Sequence, residues 1–230
     1  MRWILLCALL SALVWLAGCG IQESYAEREI VKRAPEIIGP ADRYTADVDG
    51  LGETSAEKVA LNGTRVRPTP GLVVDRLVLT LRGVQFQRDP FRITDVDQAN
   101  FTARLTDRAV SDYLKSKQTA DSTVQNVQLT FTPAEVRAQG MLVTAGQAVA
   151  FTTTGTIQSQ GAVLNYVPRE LTLGGVTVPQ ELLQQFTNAL NPLVDLRGLR
   201  IAPQVQQIAL SDGAVTLSGT ADVRSLINPP

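Results

Sequence analysis

Hydrophobic positions change their period several times along this chain, and each change predicts an element. Ile4 to Trp15 is a nearly unbroken apolar run behind Arg2, short of the ~20 apolar residues of a membrane-spanning helix. Ile30, Val31, Ala34, Ile37 and Ile38 fall on one face of a helix. Pro35 predicts a kink or an early stop there, and a flexible tether fits the same residues. From Arg43 the period drops to 2. Tyr44, Ala46 and Val48 alternate with polar residues, as do Val59 and Leu61 ahead of Asn62-Gly63, a strong hairpin-turn pair. Val73, Leu77, Leu79 and Leu81 carry the alternation toward Phe86, and Phe101, Ala103 and Leu105 end a further strand.

Thr106 then occupies a helix N-cap position, followed by the short apolar stripe Val110, Tyr113 and Leu114. Strands resume at Val127-Leu129-Phe131, Val136 to Val143, Ala148 to Gln158 and Ala162 to Leu173, punctuated by Gly140, Gly146, Gly155 and Gly161. Pro179 opens a second helix with Leu182, Leu183, Phe186, Ala189, Leu190 and Leu193 along one face, and Pro192 and Gly198 help to end it. The last hairpin runs from Gln204 to Leu210 and from Ala214 to Val223, turning at Asp212-Gly213. Strands outnumber helices that could cross over, so the order predicts an α+β fold with antiparallel pairing rather than a parallel sheet. A group of strands followed by a helix occurs twice, without a repeat of residues that would establish duplication.

The N-terminal pattern sets the expected compartment. Leu16-Ala17-Gly18-Cys19 closes the apolar leader with small residues before a cysteine and resembles a bacterial lipoprotein signal. Residues 1–18 are expected to be a signal peptide, and Cys19 the lipidated first residue of the mature protein, carrying chains such as palmitate. Residues 19–40 are expected to form anchor, tether and helical segment, and residues 41–227 a lipid-binding domain. A plain secretory signal and an uncleaved anchor are the alternatives. The reading places the protein in the cell envelope, lipid-anchored on the extracytoplasmic side. Gly20 carries no aspartate retention signal, so an outer membrane remains open as the destination in a diderm.

Composition narrows the chemistry. The chain has 21 basic and 22 acidic residues, a net charge of −1. It therefore lacks the basic footprint of nucleic-acid binding and the polybasic stripe that seeks anionic headgroups. Cys7 and Cys19 both lie ahead of the folded part, so no disulfide staples it. Histidine is absent, which excludes Ser-His-Asp and Cys-His nucleophilic sites and zinc sites of the His/Cys type. Ser55-Ala56-Glu57-Lys58 matches the S-x-x-K of penicillin-recognising enzymes, but it has neither the helix start nor the later K-T-G strand. Asp47/Asp49 and Asp95/Asp97 could face one side of extended segments, yet no D-x-D-x-D-G loop accompanies them. No phosphate-cradling glycine loop occurs. The expectation is a protein that is not an enzyme and uses no cofactor and no metal.

A resemblance adds to this reading. The run Ala99 to Val110, the run Gly175-Val176-Thr177-Val178-Pro179 leading into Leu182-Leu183, and Asn191-Pro192-Leu193-Val194-Asp195-Leu196 with Leu199-Arg200-Ile201 carry it. Val205 to Leu210, Asp212-Gly213 and Val215 to Gly219 complete it. Over roughly Tyr44 to Ala221 these resemble the LmeA-like phospholipid-binding family of bacterial envelope proteins. The resemblance implies a long antiparallel twisted sheet rolled around amphipathic helices, similar to tubular lipid-binding folds. It also implies phospholipid bound in an apolar cleft, and a role in envelope lipid or lipoglycan metabolism or transport. It supplies no catalytic motif, and the lipoprotein signal is a departure from the pattern. The expected lipid contacts are Val110, Tyr113 and Leu114 on the first of the two helices and Leu182, Leu183, Phe186 and Leu190 on the second. The same stripes could simply pack as core. The alternative function is a structural or assembly lipoprotein that docks an envelope protein partner.

Overall fold

A computed structural model describes residues 24–89, 91–144 and 146–223. Cys19 and the leader lie outside the described residues. Helix α1 (24–38) precedes four long strands, β1 (Arg43–Leu51), β2 (Ser55–Val66), β3 (Val74–Arg88) and β4 (Phe91–Thr106). Helix α2 (Asp107–Lys117) leads to β5 (Val124–Phe131), β6 (Val136–Thr144), β7 (Gln147–Gln160), β8 (Val163–Leu173) and the two-residue β9 (Val176–Thr177). Helix α3 (Gln180–Leu190), β10 (Val194–Asp195), β11 (Pro203–Ser211) and β12 (Ala214–Ala221) complete the order.

The strands form two antiparallel sheets, neither of them closed. The first, sheet A, has the order β1-β2-β3-β4-β12-β11, and the second, sheet B, the order β10-β8-β7-β6-β5 with β9 on β8. The single rolled sheet expected from sequence is therefore two. The break falls at Thr106, whose side chain accepts from the Ala109 amide at 3.1 Å and turns β4 into α2. The edge that β4 leaves free is taken by β12, with Leu105 opposite Val215 and Ala103 opposite Leu217. The β11–β12 hairpin thereby joins the sheets. The Val205 amide donates to the Gly161 carbonyl, and the Gly213 amide donates to the Phe131 carbonyl.

Register explains the core of sheet A. Two apolar rows cross four strands on one face: Ala46, Leu61, Leu79 and Phe101, and beside them Val48, Val59, Leu81 and Ala99. Side chains two residues apart share a face, so the alternation read along each strand becomes a continuous apolar floor. Asn62-Gly63 is not a turn. Both residues lie inside β2, and the chain reverses at 52–54 instead. Gly63 is buried, and a Cβ there would come within 2.8 Å of the Tyr44 ring, so its role is close packing.

Helix α1 covers part of this floor. Ala26, Ala34 and Ile38 are buried, with Ile30 and Ile37 packed against the core. The helix runs through Pro35, which is exposed on the solvent side, where water can serve the carbonyl left without a donor. The helix ends at Gly39, whose φ of +117° suits glycine. No helix among the described residues is long and apolar enough to cross a membrane.

Candidate functional site

Space remains between α1 and sheet A. Ile30, Ala34 and Ile37 from the helix face Val59, Leu61, Leu79 and Leu81 from the floor, with Ile93 at the side, around a crevice of about 100 Å³. Among the described residues, Arg33 and Arg92 are its only charged lining. A smaller void of about 30 Å³ lies over the same face, against Leu77, Phe101 and Leu217. The crevice is aliphatic, and the sheet supplies most of its wall. An acyl chain needs such a lining because each buried CH₂ contributes roughly 0.8 kcal/mol.

The C-terminal joint of α1 is fastened. The Gly39 amide donates to the Pro35 carbonyl at 3.0 Å, and the Arg67 amide donates to the Pro40 carbonyl at 2.8 Å. The Tyr44 hydroxyl donates to the Gly39 carbonyl at 2.7 Å. Burial pushes the Tyr44 hydroxyl up to about 12, so it stays protonated and donating at ordinary pH. Upstream of this joint Ile30 and Ala34 face the sheet, residues with no aromatic ring to interlock.

A wider groove of about 590 Å³ separates the C-terminal ends of α2 and α3. Tyr113, Leu114, Val124 and Leu190 form its apolar part, and Lys117 and Asp195 stand at its polar part. Lys117 Nζ lies 5.1 Å from the Tyr113 ring centroid. The hydrogen bonds from Arg197 hold the Asp195 carboxyl down at about 2, with Lys117 adding to the effect. Several polar groups of the wall already serve the backbone. Gln118 accepts from the Asn126 amide, and Ser122 accepts from the Thr119 amide. The groove suits a polar ligand better than a hydrocarbon chain.

The residues expected from sequence divide between these settings. Val110, Tyr113 and Leu114 are buried on α2, and Phe186 and Leu190 are buried on α3. Tyr113, Leu114 and Leu190 come together at the wide groove. Val110 and Phe186 do not line it. Phe186 meets Phe151 edge-on, with centroids 4.8 Å apart. Leu183 is partly buried, and Leu182 is exposed. None of the seven lines the aliphatic crevice. Sequence reasoning missed that crevice because α1 read equally well as a tether. The available signal was its stripe Ile30, Ala34, Ile37 and Ile38, longer than the apolar stripe of α2.

The motifs weighed for chemistry are occupied structurally. Lys58 Nζ donates to Asp49 Oδ2 at 2.8 Å across β1 and β2, and Ser55 is the first residue of β2. Among the described residues no three His, Cys, Asp or Glu side chains gather as they would around a metal ion.

No curated protein and no solved structure matches the sequence. The model of one protein family does, over residues 23–220, a span that starts ahead of α1 and ends in β12. Crevice, covering helix and both sheets all fall within it, and the chain belongs to the LmeA-like phospholipid-binding family.

Proposed function

We propose that this protein is an envelope lipoprotein, anchored to a membrane through acylated Cys19, that binds a phospholipid or another acyl-chain lipid non-catalytically. It would serve envelope lipid or lipoglycan metabolism or transport. Membership of a phospholipid-binding family supports a lipid partner. The observation that carries the location is the aliphatic crevice under α1, with Arg33 and Arg92 as its only charges among the described residues.

At about 100 Å³ the crevice is smaller than the ~300–1,000 Å³ of typical ligand sites. Entry of a chain therefore requires α1 to lift while its fastened joint at Gly39 holds. The exchange is nearly balanced, because methylenes of the lipid replace Ile30 and Ile37 against the same leucines, CH₂ for CH₂. The guanidinium groups of Arg33 and Arg92 can then take the phosphate oxygens of the headgroup, which a planar fork suits. The anchor would keep the crevice within tether length of the bilayer, making capture effectively intramolecular.

Native mass spectrometry of the full chain after incubation with phospholipid vesicles tests this. One lipid per chain is expected in the parent, and none in Ile30→Asp, which places a carboxylate on the crevice wall. Circular dichroism checks that both fold. Full lipid occupancy in a folded Ile30→Asp protein would remove the crevice as the site. Recovery of the lipid chemically unaltered is the expected sign of a non-catalytic binder.

A further inference from the structure

One end of sheet B exposes apolar side chains in a region almost without charge. Between Ala138 and Val194 the only charged residues are Arg169, Glu170 and Glu181, in a chain that otherwise alternates acids and bases freely. Four strand ends meet there. β9 returns on β8 with Val176 opposite Leu173. The Gly174 amide donates to the Ala150 carbonyl at 2.9 Å, bringing this turn to β7. On β7, Val149 lies opposite Leu142 of β6. The Val178 amide then bonds the Leu171 carbonyl, and α3 begins directly after. Val176 is 69% exposed and Leu182, in the first turn of α3, is 43% exposed, the two highest values among the large aliphatic side chains of the described residues.

An exposed valine or leucine alone is ordinary. Set in a charge-poor stretch of the chain, the pair calls for a medium in which ions are costly and aliphatic groups are welcome. Thr177 and Gln180, the exposed neighbours of the pair, are polar but uncharged, as suits side chains held at the headgroup level of a bilayer while aliphatic groups enter it. We infer that the β8–β9 turn and the start of α3 form a membrane-insertion tip that enters the interface of an uncharged phospholipid bilayer through Val176 and Leu182. Glu181 stands at the helix N-terminus, where the dipole favours a carboxylate, and can remain at headgroup level. Binding by this tip is apolar, so added salt leaves it intact, unlike an electrostatic dock. The inference does not depend on the crevice.

Hydrogen exchange followed by mass spectrometry on the full chain, with and without phosphatidylcholine vesicles, reads the tip locally even if the N-terminal leader also enters the bilayer. Residues 173–183 are expected to exchange several-fold more slowly with vesicles, at low and at high salt alike. The variant Val176→Asp with Leu182→Asp is expected to lose this protection. Both sites are exposed, and an aspartate in the first turn of α3 agrees with the helix dipole, so folding is retained. Vesicle-bound protein with no protection at 173–183 overturns the inference. Protection confined to 24–38 also overturns it, while leaving the crevice reading in place. Protection that grows with protein concentration without vesicles assigns the tip to a second copy of the chain and overturns it as well.

Discussion

Helices α1 and α3 each lie on a sheet, but they are held there by different means. Helix α3 is plugged into sheet B. The Phe186 ring stands edge-on against Phe151, and Asn191, the residue after the helix, clamps β8. Its Nδ2 donates to the Tyr166 carbonyl, and its Oδ1 accepts from the Tyr166 amide, both at 2.8 Å. Tyr166 is fully buried, and its hydroxyl meets Thr153 Oγ1 and the Val136 carbonyl at 3.3 Å each. Helix α1 instead lays small and aliphatic residues on leucines and valines, with a crevice left over and a polar fastening at its Gly39 end. Aromatic interlock and directional hydrogen bonds fix one position, whereas aliphatic contact is non-directional and can be exchanged for another hydrocarbon. A lipid site is therefore expected where the packing is replaceable, under α1, and not where it is keyed, under α3.

The largest effect is expected at the plug. Phe186→Ala is expected to cost about 3–5 kcal/mol of unfolding free energy, measured by denaturant titration, through lost packing against Phe151. If it removed lipid selectively, with stability unchanged, the assignment of the two helices would be reversed. Next in size is the clamp. Asn191→Ala strands the Tyr166 amide and carbonyl and should cost about 1–3 kcal/mol by the same measurement, with lipid occupancy retained in the folded fraction.

On the α1 side the expected effects are smaller and fall on binding. Replacing Arg33 and Arg92 together by Gln should weaken an anionic phospholipid by about 1 kcal/mol per residue, and the loss should shrink in high salt. Lipid titrations followed by native mass spectrometry at two ionic strengths read this. Smallest is the joint. Tyr44→Phe removes the hydrogen bond to Gly39 and should cost about 0.5–1.5 kcal/mol at neutral pH. The folded Tyr44 hydroxyl sits at about 12, against an ordinary 10.0. The parent's advantage over the Phe variant is thus complete below pH 10 and is lost as pH rises toward 12. Denaturant titrations of both proteins across that window check the sign, and the shared titration of Tyr166, also near 12, cancels between them.

Much of the fold was legible because local chemistry sets it. Thr106 announced the start of α2, Pro179 the start of α3, and Asp212-Gly213 the final turn, each through a side-chain acceptor or a backbone dihedral that the residue itself supplies. Asn62-Gly63 misled because the same pair that favours a turn can sit in a strand when a neighbouring ring needs a residue without a side chain. Of the site, Arg33 and the α1 stripe were visible as letters, but their partners Val59, Leu61, Leu79 and Leu81 read only as strand alternation.

The period of each segment, the want of histidine and of a thiol in the folded part, and the resemblance to a lipid-binding family could all be read along the chain, since these depend on residues close in it. Tertiary structure alone decided that β12 rather than β5 would pair with β4, that α1 would cover sheet A, and that a space would stay open beneath it. Periodicity says that a face is buried, not against what. An unfilled volume arises from side chains of separate segments failing to reach one another, and no single stretch of chain records that distance.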